Sequence, residues 1–421
     1  MTRTAAGEWP VMPYAPFSLD ASPACRVHEP SPDLPAWLRR VACISTSRAD
    51  SGIYGPLLAA LADAGLDVLC LAGGTHLSAA YGATIHGISA DPRVRVVPVD
   101  HLVSGDEPRQ IADTAGRAVI AFSSALAATQ PGLVFVLGDR TEMLAAALAA
   151  LIHKTPIAHL HGGDATEGAY DEQCRHAITK LAHVHFPALP GHAERIACMG
   201  EEPWRTHAVG ALALDALSAF IAEPPGELLP RFGLDPARPT AVVVYHPETL
   251  TDTHPAAQVG EIAAALAPLD LNLLVVDPNA DAGREAIAAA WRALAASRPR
   301  LAVVSSLSQR DFWSLLASAA VLVGNSSAGI IESASFRIPV INIGDRQAGR
   351  VRAANVLDVP ADRSRIASAL KTALEPAFRD GLSSLVNPWG DGGAARRIVD
   401  ALRGLPGPAV LLRKKWPLSH V

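Results

Sequence analysis

The stretch Val41-Ala-Cys-Ile-Ser45-Thr-Ser-Arg48-Ala-Asp50-Ser-Gly52-Ile-Tyr54-Gly-Pro-Leu-Leu-Ala-Ala-Leu61 decides the fold class. A short β-branched run ends at Ser45, a loop of small and polar residues follows, and Tyr54 to Leu61 reads as an alanine- and leucine-rich helix. A strand feeding a helix in this way is the repeating unit of a parallel sheet joined by crossover helices. The loop Ser45 to Gly52 then sits at the C-terminal edge of the sheet, where backbone N–H groups and Arg48 suit a phosphate. The plainer reading is that Ser51 caps the helix and Arg48 is solvated.

Working outward, the same alternation predicts strands at Val41–Ser45, Asp67–Leu71, Val94–Val97, Leu133–Leu137, Ile157–Leu160 and His183–Phe186, which make one Rossmann-like unit. A second series follows Gly210, with strands expected at Thr240–Tyr245, Leu271–Val276, Leu301–Val304, Val321–Val323 and Val340–Ile343. The chain is thus read as α/β, with two Rossmann-like, doubly wound domains. Residues 1–38 are a proline-rich extension, 39–210 the first domain, 211–390 the second, and 391–421 a helix and tail that pack back on the first. Pro224-Pro225-Gly226, Pro230 and Pro236 punctuate the link between the halves, as befits a hinge beside an interdomain cleft. The basic trio Arg413-Lys414-Lys415 reads as a solvated terminus.

Composition excludes several classes. The chain has 421 residues and a net charge of −5, with no run of lysines or arginines, so no nucleic-acid surface is expected. Its five scattered cysteines show no paired spacing or CxxC, which indicates a reduced, cytoplasmic chain without cysteine-bound metal. The uncharged stretch Ala118 to Gly138 is divided by Ser123, Ser124 and Gln130-Pro131-Gly132 into helix, turn and strand, so no membrane span is read there. No GxGxxG follows the first strand and no GKS or GKT occurs, which argues against NAD binding and a P-loop.

Several strand ends carry ionisable groups. Asp139, in Gly138-Asp139-Arg140-Thr141-Glu142, lies at the cleft rim as a candidate base, or caps the following helix. His159-Leu160-His161-Gly162-Gly163-Asp164 runs on to Asp171, Arg175 and His176; Asp171 and Arg175 share a helix face, to pair or to flank a substrate. That density of ionisable groups at one strand end marks an active site. His246, in Tyr245-His246-Pro247-Glu248-Thr249, can donate to a diphosphate or carry a proton near neutral pH. Asn279 can read a nucleobase edge. The segment Gly324-Asn325-Ser326-Ser327-Ala328-Gly329 offers amides and hydroxyls to an anion, and Glu332 can accept from the vicinal hydroxyls of a ribose.

These segments, in this order, resemble the hydrolysing UDP-N-acetylglucosamine 2-epimerases of bacterial sialic-acid and legionaminic-acid synthesis. The likeness spans about Val41 to Val359. It rests on SRADSGIYGP, GTHLS, GDRTEM, HLHGGDATEGAYDEQCRHAITK, YHPET, PNADAG, GNSSAGIIE and NIGDRQAGR. It implies a GT-B-like fold in which the C-terminal domain holds UDP and the sugar faces the N-terminal one. Arg48, His246, Asn279, Ser326, Ser327, Glu332 and Arg346 would bind UDP, with His76 and Arg140 also on the substrate. Asp139, His161, Asp164, Asp171 and Arg175 would surround the sugar. His161 stands where some members carry glutamate, and Asp164 where glutamate is commoner.

The implied reaction turns UDP-N-acetylglucosamine and water into N-acetylmannosamine and UDP, by elimination to a glycal and hydration. No metal or redox cofactor is required, and a homodimer or homotetramer is implied. A UDP-2,4-diacetamido-2,4,6-trideoxyhexose is the rival substrate within the family. A GT-B glycosyltransferase and a UDP-sugar-binding relative with altered catalysis are the other classes.

Overall fold

The computed structural model describes residues 33–88, 91–251, 253–278 and 283–416. Among the described residues, twelve strands form two six-stranded sheets, every pairing parallel. The first contains β1 (Arg40–Ser45), β2 (Asp67–Gly73), β3 (Val94–Val99), β4 (Leu133–Leu137), β5 (Ile157–Leu160) and β6 (Val184–Phe186). Its spatial order is β3-β2-β1-β4-β5-β6. The second contains β7 (Thr240–Val244), β8 (Asn272–Val276), β9 (Leu301–Val304), β10 (Val321–Gly324), β11 (Val340–Ile343) and β12 (Val356–Val359), ordered β12-β11-β10-β7-β8-β9. Counted from its own first strand, each sheet has the order 3-2-1-4-5-6, so the architecture is repeated and GT-B-like. In each sheet the order reverses between the first and fourth strands, and ligands of such sheets bind at that crevice.

Helix α1 (Arg48–Asp63) starts earlier than the sequence predicts, and its cap is not Ser51. Ser47 and Asp50 form a capping box, and the Asp50 carboxylate also accepts from the Thr46 and Ser47 amides at 2.8 and 2.9 Å. A cap of this kind stabilises a helix by about 1 kcal/mol. It also fixes the loop so that Arg48 leaves it as the first helical residue.

Helix α2 (Pro108–Thr129) is long and apolar enough by composition to cross a membrane. Its buried residues Ala118, Ala121, Phe122, Ala125 and Leu126 recur at helical spacing, however, and join the core of the first sheet. That stripe is the signature of a crossover helix covering a sheet.

The chain enters the first core before residue 39, because Leu34 and Leu38 are buried within it. At the other end, Ile398, Val399 and Leu402 of the helix Ala394–Arg403 join the same core. Lys414 is not solvated: it pairs with Glu201 at 2.7 Å and donates to the Lys180 and Ala182 carbonyls, both at 2.8 Å.

Candidate active site

Both order reversals deliver polar residues to the same cleft, of about 840 Å³. From the first half come Arg48, Ser51 and Gly52 at the start of α1; from the second come His246 after β7 and Ser326, Ser327, Glu332 and Arg346 around β10 and β11. Six of the seven residues assigned to UDP thus share one cavity. Asn279 lies outside the described residues.

The electrostatics of the cleft suit an anion. Arg48 is half-buried, its guanidinium has no ion pair or hydrogen bond among the described residues, and burial lowers its pKa. Arg346 donates to the Asn325 carbonyl at 3.3 Å. The Asn325 side chain in turn accepts from the His246 amide at 2.7 Å and donates to the His246 carbonyl at 2.9 Å, which locks that residue's backbone. Burial, then the charges of Arg346 and Arg140, push His246 well below its ordinary pKa, so without ligand its imidazole is neutral. It can donate one N–H but adds no positive charge.

Glu332 accepts from Trp313 Nε1 at 2.6 Å, and burial lifts its pKa to about 7. The helix after Ser327 is a single turn, Ala328–Ile331, whose Gly329 and Ile330 amides bond back to the Ser326 and Ser327 carbonyls at 3.0 Å. The Ser326 and Ser327 amides are the ones left for a ligand, so the anion site is a turn rather than a helix end.

A second cluster is built on β4, β5, helix α4 (Asp171–Leu181) and helix α5 (Pro190–Cys198). Arg175 of α4 is buried and pairs with Asp139; it also donates to the His161 carbonyl and to Thr166 Oγ1, both at 3.2 Å. Asp139 therefore does not cap helix α3 (Thr141–Ile152), whose cap position is Arg140. Asp164 is fully enclosed. Arg350 stands 3.0 Å from its carboxylate, His192 3.5 Å and Arg175 3.9 Å. Burial alone would raise the Asp164 pKa, but the charges of Arg350 and Arg175 outweigh it and hold the group ionised.

His161 adopts a left-handed backbone, φ 60°, uncommon for a side-chain-bearing residue. Its Nε2 is buried without a hydrogen bond, and burial takes its pKa down to about 4. Asp171 and Arg140 line a smaller neighbouring pocket of about 200 Å³, together with Tyr81, Leu102, Val103 and Ile111.

His76 does not line the cleft. It is enclosed, with Ser45 Oγ 2.8 Å from Nε2 and Thr84 Oγ1 2.7 Å from Nδ1, so both ring nitrogens are occupied. Sequence reasoning gave no role to Arg350, Asn325 or Trp313. The first two lie inside the quoted NIGDRQAGR and GNSSAGIIE segments, but only the fold shows that they reach Asp164 and His246. Among the described residues, no three His, Cys, Asp or Glu side chains gather as a metal-ligand set.

A family model described as UDP-N-acetylglucosamine 2-epimerase matches residues 59–403. The chain is 32% identical over 381 residues to the UDP-N,N'-diacetylbacillosamine 2-epimerase (hydrolyzing) of Legionella pneumophila, covering 90% of this chain and 99% of the relative. It is 31% identical over 362 residues to polysialic acid biosynthesis protein P7 of Escherichia coli, covering 84% and 90%. Among solved structures, the UDP-GlcNAc 2-epimerase of Neisseria meningitidis bound to UDP-GlcNAc has a TM-score of 0.73, covering 86% of this chain and 99% of that one. Identity there is 16%, so that likeness is one of fold. With a family match across both halves and relatives of this identity covered nearly end to end, the chain belongs to the hydrolysing UDP-N-acetylglucosamine 2-epimerase family and is a UDP-sugar 2-epimerase.

Proposed function

We propose that the enzyme binds a UDP-linked 2-acetamido sugar across the cleft and releases the free 2-epimerised sugar and UDP. The observation that carries this reading is the unpaired Arg48 facing Ser326, Ser327 and Arg346 across one cavity. An uncompensated cation opposite free amides is what a diphosphate needs. Glu332, at the same wall, has one carboxylate oxygen on Trp313 and a second for the ribose.

The chemistry follows from the weak acidity of the C2 proton. The C1–O bond must break early, so the departing diphosphate and the cationic ring both need stabilisation. Arg48 and Arg346 answer the first need. His246 begins neutral, and negative charge growing on the leaving group raises its pKa, so it donates best as the bond breaks. Asp139 and Asp171 answer the second need and take or return the C2 proton. His161, neutral and with an unpartnered Nε2, is the further proton carrier. Water then adds at C1 of the glycal, and a proton returns to C2 from the opposite face.

The first substrate proposed is a UDP-2,4-diacetamido-2,4,6-trideoxyhexose, on the strength of the full-length match to the Legionella enzyme. The apolar Leu102, Val103 and Ile111 beside Asp171 suit a 6-methyl group. UDP-N-acetylglucosamine is the second reading, supported by the description of the matching family. A cytoplasmic homodimer or homotetramer accompanies the reading. Incubating purified enzyme with each UDP-sugar separately tests the order: faster release of free sugar from UDP-N-acetylglucosamine would reverse it.

A further inference from the structure

The segment following β11, Asp345 to Arg350, reaches both clusters. At one end, Arg346 and Gln347 donate to the Asn325 carbonyl at 3.3 and 2.8 Å, and Asn325 holds the His246 backbone. At the other, Arg350 crosses into the first half. Its Nε donates to the Ala165 carbonyl at 2.8 Å, and Nη2 stands 3.0 Å from the Asp164 carboxylate.

The seam between this segment and Ala165 to Gly168 of the first half is closed at backbone distance. The Glu167 amide donates to the Ala348 carbonyl at 3.3 Å. A Cβ at Gly168 would stand 2.4 Å from the Asp345 carbonyl oxygen. A Cβ at Gly349, where φ is +81°, would stand 2.6 Å from Glu167 Oε1 and 2.8 Å from the Ala165 Cβ. Such close packing leaves no slack for one segment to move without the other. A buried charge pair across the seam makes separation costlier still, because each charge would be left uncompensated.

Four groups face the Asp164 carboxylate or share its loop: Arg350 from the second half, Arg175 from α4, His192 from α5, and His161 three residues upstream. Arg350 is the nearest cation and the one contributed by the nucleotide-binding half. Arg175, the next link, holds Asp139.

We propose that Arg350 is a positioning residue: by clasping Asp164 and Ala165 it ties the nucleotide cleft to the loop that carries His161. UDP seated against Arg346, Ser326 and Ser327 orders the segment through Arg350, and the sugar-side groups are aligned while the clasp is closed. For its activity arm the proposal rests on the 2-epimerase reading.

The test compares full-length wild type with Arg350→Met and Gly349→Ala; the latter forces the seam apart while keeping the arginine. Hydrogen–deuterium exchange of residues 159–170 is followed with and without UDP, UDP affinity is measured by calorimetry, and kcat and KM are measured on the substrate that the wild type turns over. In the wild type, UDP slows exchange across 159–170. Both variants bind UDP within about threefold of wild type but lose that protection, and kcat falls about 100-fold with KM little changed, the size expected for misplaced catalytic groups. Full UDP-induced protection in either folded variant, or an unchanged kcat, would overturn the proposal. If Arg350→Met fails to fold, Gly349→Ala carries the same outcomes. Absence of turnover by the wild type would defeat the reaction assignment alone, since the exchange arm still reads the clasp.

Discussion

Arg175 pairs with Asp139, thirty-six positions earlier in the chain. The pairing ties the end of β4 to the first turns of α4, and it separates two carboxylates that look equivalent in sequence. Asp139 is held in place by a buried cation, whereas Asp171 lines the small pocket beside Arg140.

Replacing Asp139 with asparagine keeps a hydrogen-bond acceptor for Arg175 but removes the group proposed to move the C2 proton. Turnover is expected to fall about 100-fold or more, with UDP affinity unchanged by calorimetry. Wild-type kcat in Asp139→Asn would remove Asp139 from the chemistry.

Much of this arrangement was legible in the sequence because each parallel strand is a short apolar run with a polar loop at its end. Eleven of the twelve strands lie where the alternation puts them, to within a few residues. The missing one, β12 (Val356–Val359), is a four-residue edge strand, largely half-exposed and interrupted by Asp358, so it lacks the buried run that marks the others. The cap of α1 was misplaced for a local reason: Ser47 and Ser51 are both plausible caps, and only the reciprocal bond with Asp50 distinguishes them. His76 and Asp164 sit in the expected segments, yet their burial and their partners follow from long-range packing that spacing alone does not encode.

Arg48→Met tests the unpaired cation. Loss of a charge-assisted hydrogen bond is expected to weaken UDP binding by about 10- to 100-fold. The ligand-free protein should keep its thermal midpoint, because no counterion is stranded. A large fall in that midpoint would mean Arg48 is structural.

Glu332 gives UDP binding a pH dependence. Its pKa rises from the ordinary 4.5 to about 7, because burial disfavours the ionised form. In the folded protein the carboxyl therefore keeps its proton where the unfolded chain has lost it, and its contribution to stability declines as pH rises towards about 7. Ribose hydroxyls donate best to the ionised carboxylate, so affinity should rise about tenfold from about pH 6 to pH 8. Glu332→Gln, measured in parallel, subtracts the titration of UDP itself. An identical pH profile in wild type and variant would exclude the ribose contact.

Acid should unfold the first half. Burial lowers His159 to about 3 and His161, His183 and His192 to about 4, from an ordinary 6.5. Their folded pKa values are depressed, so the unfolded chain binds the extra protons as pH falls below 6.5, and stability is lost in that direction. Each such histidine costs about 2 kcal/mol between about pH 6.5 and pH 5. Urea midpoints should fall steeply over that interval; a flat profile would contradict the neutral, buried assignment.

The most direct test of the central claim is an acceptor-free incubation of the purified enzyme in deuterated water with each of the two UDP-sugars, followed by proton NMR. The account predicts free 2-epimerised sugar carrying deuterium at C2, in equal amount with UDP. Release of UDP with the original C2 configuration and proton retained, or no release from either substrate, would contradict it.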